Sequence, residues 1–381
     1  MKVTFIHDHK IKVINDIKYS NGGLGANVLE KYVKLLGEVM VICRGEYISN
    51  EKNVAKLVKA ESKNVDFLLL DNFINIKENK KIISEQLKNT EFLIVRLPSI
   101  LGQISIKYAE QYKIPYVIEL VGCPFDAFWN HGSFIGKFLA PIMYWDVKRK
   151  IASSKNVIYV TSEFLQKRYP TNGKKLACSD VIINDLNTDI INKRINKIKN
   201  KKSEMITIGL IGNFSSKYKG LETAIKSLAI LKENNLNVKL EVLGLGNKEK
   251  YEKIASKLGV EENVFFNGIY QDKDTVFKWL DYIDIYIQPS YVEGMPRATI
   301  EAMSRGCPVA ASNVGGLKEL INPTLTHKPR DYKKLANDLL NIIYDKKIMI
   351  ENSKINFEKS KSFSENILFE KKKSFFEDIL S

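Results

Sequence analysis

Short apolar runs bounded by glycine, proline, asparagine or aspartate recur along the chain, with stretches of helical periodicity between them. That alternation is the signature of parallel strands buried on both faces, because helices on either side of the sheet shield them from water. In the first half such strands are predicted near Val3–His7, Val39–Cys43, Phe92–Val95, Tyr116–Leu120 and Val157–Thr161. In the second half they are predicted near Ile206–Ile211, Leu240–Leu243, Val264–Phe266, Ile285–Ile287 and Val309–Ala311. Each half is therefore expected to be an open α/β sheet, giving two Rossmann-like parallel-sheet domains that face a cleft. A length of 381 residues suits two cores better than one.

The expected boundaries are 1–190 for the first domain and 203–361 for the second. Between them Asn184–Lys202 reads as a linker, since the run NKRINKIKNKKSE is too charged to pack a core. The last residues, 362–381, open with Ser/Glu capping residues and repeat apolar positions at helical spacing. They are expected to form a terminal helix that packs back on the first domain.

Composition narrows the function classes. No apolar run is long enough to span a bilayer, and the N-terminal MKVTFIHDHK carries His7 and Asp8 where a signal peptide needs a longer apolar segment. A cytoplasmic setting is expected. The four cysteines, Cys43, Cys123, Cys178 and Cys307, form no CxxC pair, which argues against a zinc knuckle or a disulfide framework. The net charge of +15 invites a polyanionic partner, yet Lys and Asn are abundant everywhere and no nucleic-acid-binding signature accompanies them. No nucleic-acid partner is expected.

The most informative stretch is Pro289–Ile321, PSYVEGMPRATIEAMSRGCPVAASNVGGLKELI. It reads as a strand end, a Glu293-Gly294 turn, a helix from Met295 with Pro296 in its first turn, and a stop at Gly306 and Pro308. Gly294 permits close approach of a ligand, and the free amides of Met295, Arg297 and their neighbours can hold hydroxyl or phosphate oxygens. Arg297 in a first helical turn is unfavourable against the helix dipole unless an anion sits nearby. Glu293 lies at the helix mouth, and Glu301, two turns on, offers two acceptor oxygens to a vicinal diol. Taken alone, the two glutamates read more simply as a dipole partner and a surface carboxylate.

The embedding changes that balance. EGMPRATIEAM, followed by G-x-PV and by Gly315-Gly316, resembles the donor-site signature of the glycosyl transferases group 1 family, the large group of retaining glycosyltransferases with the two-Rossmann-domain GT-B fold. The resemblance runs upstream over about Ile206–Ile321. Ile208–Gly220 looks like the family's strand and phosphate-binding loop, Leu243–Gly246 its second glycine turn, Val264–Tyr270 its base-binding strand end, and Asp284–Ser290 the strand leading to the glutamate pair. It implies a nucleotide-sugar donor, first guess UDP-linked, no metal and no other cofactor. Glu301 would bind the ribose, Glu293 the transferred sugar and Lys219 the diphosphate, where a cation stabilises the charge that grows as the glycosidic bond breaks. Gly244, Tyr270, Gly294, Met295, Pro296 and Thr299 join Arg297 as implied donor-binding residues. Asn213 stands where relatives commonly place an Arg, so either Lys217, Arg297 or both supply the missing charge, or phosphate binding leans more on helix amides. Lys219, before Gly220 and a helix, suits a phosphate site by geometry; Lys217 reads equally well as a surface lysine.

In the first half, Tyr19–Val28 resembles the family's flexible glycine loop, with Gly22, Gly23 and Gly25 approaching the donor. The same glycines also suit a plain turn and helix start. Relatives carry a His before the glycine at Gly122; this chain has Val121. Asp126 becomes a catalytic candidate only by nearness in sequence, as does His131, which joins Arg96 and Trp129 on the acceptor side. An Asp in a turn and a His capping a helix are the simpler readings. His7-Asp8-His9 and Asp272-Lys273-Asp274 raise metal binding, but the first lacks a third ligand and the second precedes a helix it can cap. Ser133–Lys150 is apolar and ends in Lys148, Arg149 and Lys150. It suits either a helix resting on an anionic membrane that carries a lipid-linked acceptor, or a core helix whose cations complement its dipole.

The resemblance points to a glycan or lipid-linked acceptor in capsule, exopolysaccharide or lipopolysaccharide assembly. Two alternatives are a sugar-nucleotide-binding protein that has lost catalysis and an NAD(P)-dependent epimerase or dehydrogenase. The latter needs a GxGxxG directly after a strand, and no clean match exists.

Overall fold

The computed structural model describes residues 1–48, 57–71, 75–129, 134–184, 186–270 and 272–381. The chain divides into two units, Met1–Cys178 with Phe369–Ser381, and Ser179–Leu368. The division falls at Cys178, twelve residues before the expected boundary at 190.

The first unit is built on a nine-stranded sheet: β1 (Val3–Ile14), β2 (Ile17–Ser20), β3 (Val39–Tyr47), β4 (Val58–Lys59), β5 (Val65–Leu70), β6 (Phe92–Leu97), β7 (Tyr116–Leu120), β8 (Asn156–Tyr159) and β9 (Lys174–Ala177). Strands β5-β3-β1-β6-β7-β8-β9 run parallel, and β2 and β4 extend the far end of β1 antiparallel. Strand β6 is buried along its whole length, as a strand covered on both faces must be.

The strand predicted near Val3–His7 continues as β1 to Ile14 and turns back into β2 through Asn15 and Asp16, both at positive φ. The β1/β3 register shifts between Ile6 and Lys10, so His7-Asp8-His9 forms a bulge. The bulge aims Asp8 at the helix Ile100–Tyr112, where its carboxylate accepts from the Ser99 hydroxyl at 2.8 Å and the Leu101 N–H at 2.9 Å. Asp8 thus helps Ser99 to cap the first turn of that helix.

The second unit holds β10 (Ile206–Ile211), β11 (Val238–Leu243), β12 (Val264–Phe266), β13 (Ile285–Gln288), β14 (Val309–Ser312) and β15 (Thr326–His327). All pair in parallel in the order β12-β11-β10-β13-β14-β15, the doubly wound arrangement whose direction reverses between β10 and β13. Ligands of such sheets sit outside the carboxyl ends of the strands at that reversal.

The expected linker is a helix, Thr188–Asn200, capped by Asn187 and packed into the second unit through Ile191, Arg194 and Ile198. Its charge does not prevent burial because Arg194 is saturated. The guanidinium donates to the carbonyl oxygens of Ile283 and Leu280, both at 2.6 Å, and of Arg305 at 3.2 Å. Beside it Lys197 caps the same carbonyl cluster, and burial lowers its pKa to about 8.

The C-terminal helix is Glu365–Leu380. From Phe369 onward it belongs to the first unit, where the Phe376 ring meets Phe92 edge-on at 6.0 Å. Lys372 reaches the buried Glu119 at 2.9 Å, and Tyr32 donates to the other oxygen of that carboxylate at 2.6 Å. Burial opposes the Glu119 charge, but Lys372 and Arg96 outweigh it and hold its pKa below the ordinary value.

Candidate functional site

The carboxyl ends of β10, β11 and β13 open onto a cavity of about 620 Å³ in the second unit. That volume is within the range of about 300–1,000 Å³ usual for small-molecule sites. Its lining brings together Asn213, Lys219, Gly244, Tyr270, Glu293, Met295, Pro296, Arg297 and Glu301.

The loop after β13 sets the centre. Lys219 Nζ stands 2.7 Å from Glu293 Oε1, and the same oxygen accepts from Ser290 Oγ at 2.8 Å and Gln288 Nε2 at 3.3 Å. Gln288 is fixed in turn by the Tyr286 hydroxyl, which donates to its Oε1 at 2.6 Å, and by its own donation to Ser290 Oγ at 2.8 Å. Ser312 Oγ ties the loop to β14 by donating to the carbonyl oxygens of Ser290 and Gln288. Tyr286, Gln288, Ser290 and Ser312 are all buried. The sequence reading missed this supporting shell. Its one visible signal was a glutamine closing an otherwise apolar strand.

Glycines make the loops fit. A Cβ on Gly315 would stand 1.8 Å from the Glu293 carbonyl oxygen, and one on Gly220 would stand 1.9 Å from that of Pro289. Both residues have positive φ, where only glycine is unstrained. The Gly316 N–H donates to the Gly294 carbonyl at 2.9 Å, which pins the Glu293-Gly294 turn.

The helix predicted from Met295 starts at Arg297 and ends at Ser304. Pro296 precedes it in extended conformation as the cap residue rather than lying in the first turn. The first free amides are therefore those of Arg297 and Ala298, both lining the cavity. Glu301, one turn after Arg297, lines it too. Burial raises the Glu301 pKa, and Arg297 and Lys273 partly offset the rise. Thr299 is placed otherwise. It is fully buried and its hydroxyl has no partner, because the helical repeat turns it some 200° from Arg297, toward the core.

Lys217 is also corrected. It lines a neighbouring depression of about 560 Å³ with Lys250, Lys253 and Lys257, not the cavity that holds Lys219. Of the two cations expected to stand in for the Arg missing at Asn213, only Arg297 reaches the cavity. Asn213 itself is exposed and accepts from the Ser215 N–H at 2.8 Å. Leu245, Ile269 and Val276 form an apolar side of the same cavity that the sequence reading did not name.

The other candidates belong to the first unit. In the glycine loop Gly22 has positive φ, Gly25 precedes the helix Ala26–Leu36, and Gly23 packs beside His9. Ser20 Oγ organises the turn by accepting from the N–H groups of Gly22 and Leu24, and it pairs with His9 Nε2 at 2.8 Å. Arg96 is buried 3.9 Å from Glu119. Asp126 pairs with Arg168 at 3.3 Å, and Trp129 is half exposed and stacks on Phe125. His131 lies outside the described residues. Asp272 caps its helix by accepting from the Thr275 N–H at 2.7 Å, which accounts for the DKD triplet.

The model of the family Glycosyl transferases group 1 matches residues 191–366, nearly the whole second unit. The chain is 33% identical over 375 residues to Protein CapJ of Staphylococcus aureus, covering 96% of this chain and 93% of that protein. It is 31% identical over 137 residues to the lipopolysaccharide glucosyltransferase WaaG of Escherichia coli, covering 35% and 34%. Among solved structures, sucrose-phosphate synthase from Thermosynechococcus elongatus superposes with a TM-score of 0.71 at 16% identity, over 100% of this chain and 99% of that one. The Anabaena protein HepE in complex with UDP superposes with a TM-score of 0.69 at 16% identity, over 99% and 100%. These likenesses show the GT-B fold.

Proposed function

The chain belongs to the glycosyl transferases group 1 family, and from that premise we propose that it transfers a sugar from a nucleotide-sugar, most simply a UDP-sugar, with retention of anomeric configuration. The observation that carries the reading is the Lys219–Glu293 pair at the mouth of the helix Arg297–Ser304, with Glu301 in the same cavity.

In this reading the diphosphate lies against Lys219, Arg297 and the amides of Arg297 and Ala298. A helix N-terminus and two cations suit an anion. As the glycosidic bond breaks, negative charge accumulates on the departing diphosphate, and groups already in place stabilise it without reorganisation. They supply the positive charge a metal would otherwise bring, so we assign no metal to the reaction. Glu301 accepts hydrogen bonds from the ribose diol. Glu293, held by Lys219, Ser290 and Gln288, accepts from hydroxyls of the transferred sugar. The apolar side formed by Leu245, Ile269 and Val276, with Tyr270, takes the base. The departing phosphate oxygen receives the acceptor proton, which makes retention feasible without a protein base.

The first unit would carry the acceptor, a glycan or lipid-linked glycan, with Arg96 and Trp129 as contacts. Similarity to CapJ and WaaG supports a setting in bacterial surface-polysaccharide assembly, in the cytoplasm or at the inner face of the membrane with peripheral contact.

The test is nucleotide release from UDP-, GDP- and ADP-sugars, with and without a membrane lipid extract and with and without EDTA. Release from one donor is expected, unaffected by EDTA, and lowered about 10²–10³-fold in Lys219→Ala and in Glu293→Ala. Nucleotide binding with no release from any donor, lipid extract included, would sink the transferase reading in favour of a binding protein.

A further inference from the structure

The helix Phe134–Ser153 is apolar on two opposite sides. Gly136, Ala140, Val147 and Ile151 face the core of the first unit. On the other side Phe134, Ile135, Phe138, Ile142 and Trp145 fall within an arc of about 100° at the 3.6-residue repeat. They are exposed by 92%, 72%, 74%, 52% and 64%. A soluble helix ordinarily sets charged residues opposite its buried face. Bulky side chains in that position form an exposed apolar patch, the mark of an interaction site.

The charges around the stripe say what covers it. Lys137 stands over the Phe134 ring at 5.9 Å, and Lys148 over the Trp145 ring at 5.1 Å. Arg149 continues the stripe one turn beyond Trp145. The helix has a single acidic residue, Asp146, which lies beside the arc and is paired with Lys150 at 2.6 Å. Aromatic and aliphatic side chains bordered by cations, with no free carboxylate, match an anionic bilayer surface: rings enter the headgroup region and cations meet lipid phosphates.

We propose that this face docks the protein on anionic lipid, lying in the surface without crossing it. Among the described residues no helix is long and apolar enough to cross a membrane. The proposal rests on the membrane-side setting given above and names the surface that makes the contact.

Sedimentation of the full chain with vesicles tests it, using mixed phosphatidylglycerol and phosphatidylcholine against phosphatidylcholine alone. The chain is expected to sediment with the anionic vesicles only. Binding should fall at least about tenfold in Phe138→Glu. It should fall about fivefold for each of Lys148→Gln and Arg149→Gln. These positions are at the surface, so all variants should melt with the wild type. Absence of vesicle binding, or binding equal in wild type and Phe138→Glu, overturns the proposal. So does self-association that Phe138→Glu abolishes without vesicle uptake, which would assign the face to a second copy. Neither donor nor acceptor is present, so failure here leaves the transferase reading intact, and failure of nucleotide release leaves this one intact.

Discussion

Gly315 shows how much of the candidate site rests on single backbone positions. Its φ of 50° and its contact with the Glu293 carbonyl leave no room for a methyl group. Gly315→Ala should displace the Glu293 turn while leaving every polar side chain of the cavity in the sequence. Nucleotide release is expected to drop on the order of 10²-fold, the usual effect of misplacing a catalytic group by about 1 Å. Steady-state rates at saturating donor check this, and an unchanged rate would mean that the turn tolerates movement.

His327 makes a second residue-scale case. It is buried with neither ring nitrogen hydrogen-bonded, and burial lowers its pKa from 6.5 to about 4. A base whose folded pKa is depressed binds a proton first in the unfolded chain. Stability is therefore intact above pH 6.5 and lost as the pH falls toward 4, by on the order of 3 kcal/mol for this group. Removing the titration with His327→Leu should flatten the fall in melting temperature between pH 6.5 and 4. Parallel pH profiles for the variant and the wild type would refute that account.

At the scale of elements, the C-terminal helix is held to the first unit by one buried polar network as well as by Phe375 and Phe376. Lys372→Ala leaves Glu119 with Arg96 and the Tyr32 hydroxyl alone in a buried setting. Stranding one member of a buried ion pair costs about 3–5 kcal/mol. Calorimetry that resolves the first unit's transition should record a loss of that size. Adding Glu119→Gln should not recover it in full, because the buried Arg96 then loses its carboxylate partner. The helix Thr188–Asn200 shows the same physics in reverse. Its arginine is buried at no such penalty because three main-chain carbonyls receive it.

At the scale of the whole molecule, part of the net charge of +15 has a local place: in the cavity Lys219 and Arg297 are balanced by Glu293 and Glu301, whereas Lys137, Lys148 and Arg149 border the apolar stripe of the helix Phe134–Ser153. The two-sided character of that helix explains why its sequence supported both a core and a surface reading. A helix apolar on two opposite sides has no single polar face to announce its orientation.

A likeness to the glycosyl transferases group 1 family gathered Glu293, Glu301, Lys219 and Arg297 into one site; the sequence by itself determined the alternation of strand and helix and the two Rossmann-like units. These rest on short-range signals, namely runs of strand length, helix starts and stops, and glycines at turns, which are legible within a few residues. The tertiary structure alone decided which side of each helix meets the core. It carried Thr299 inward, set Lys217 in another depression, and made a packed helix of the charged run after Asn187. It also decided the buried partners: Arg194 finds its carbonyls 86 to 111 residues away, and Lys372 finds Glu119 at a separation of 253. Such pairings depend on how elements pack, and local pattern holds no information about residues so distant along the chain.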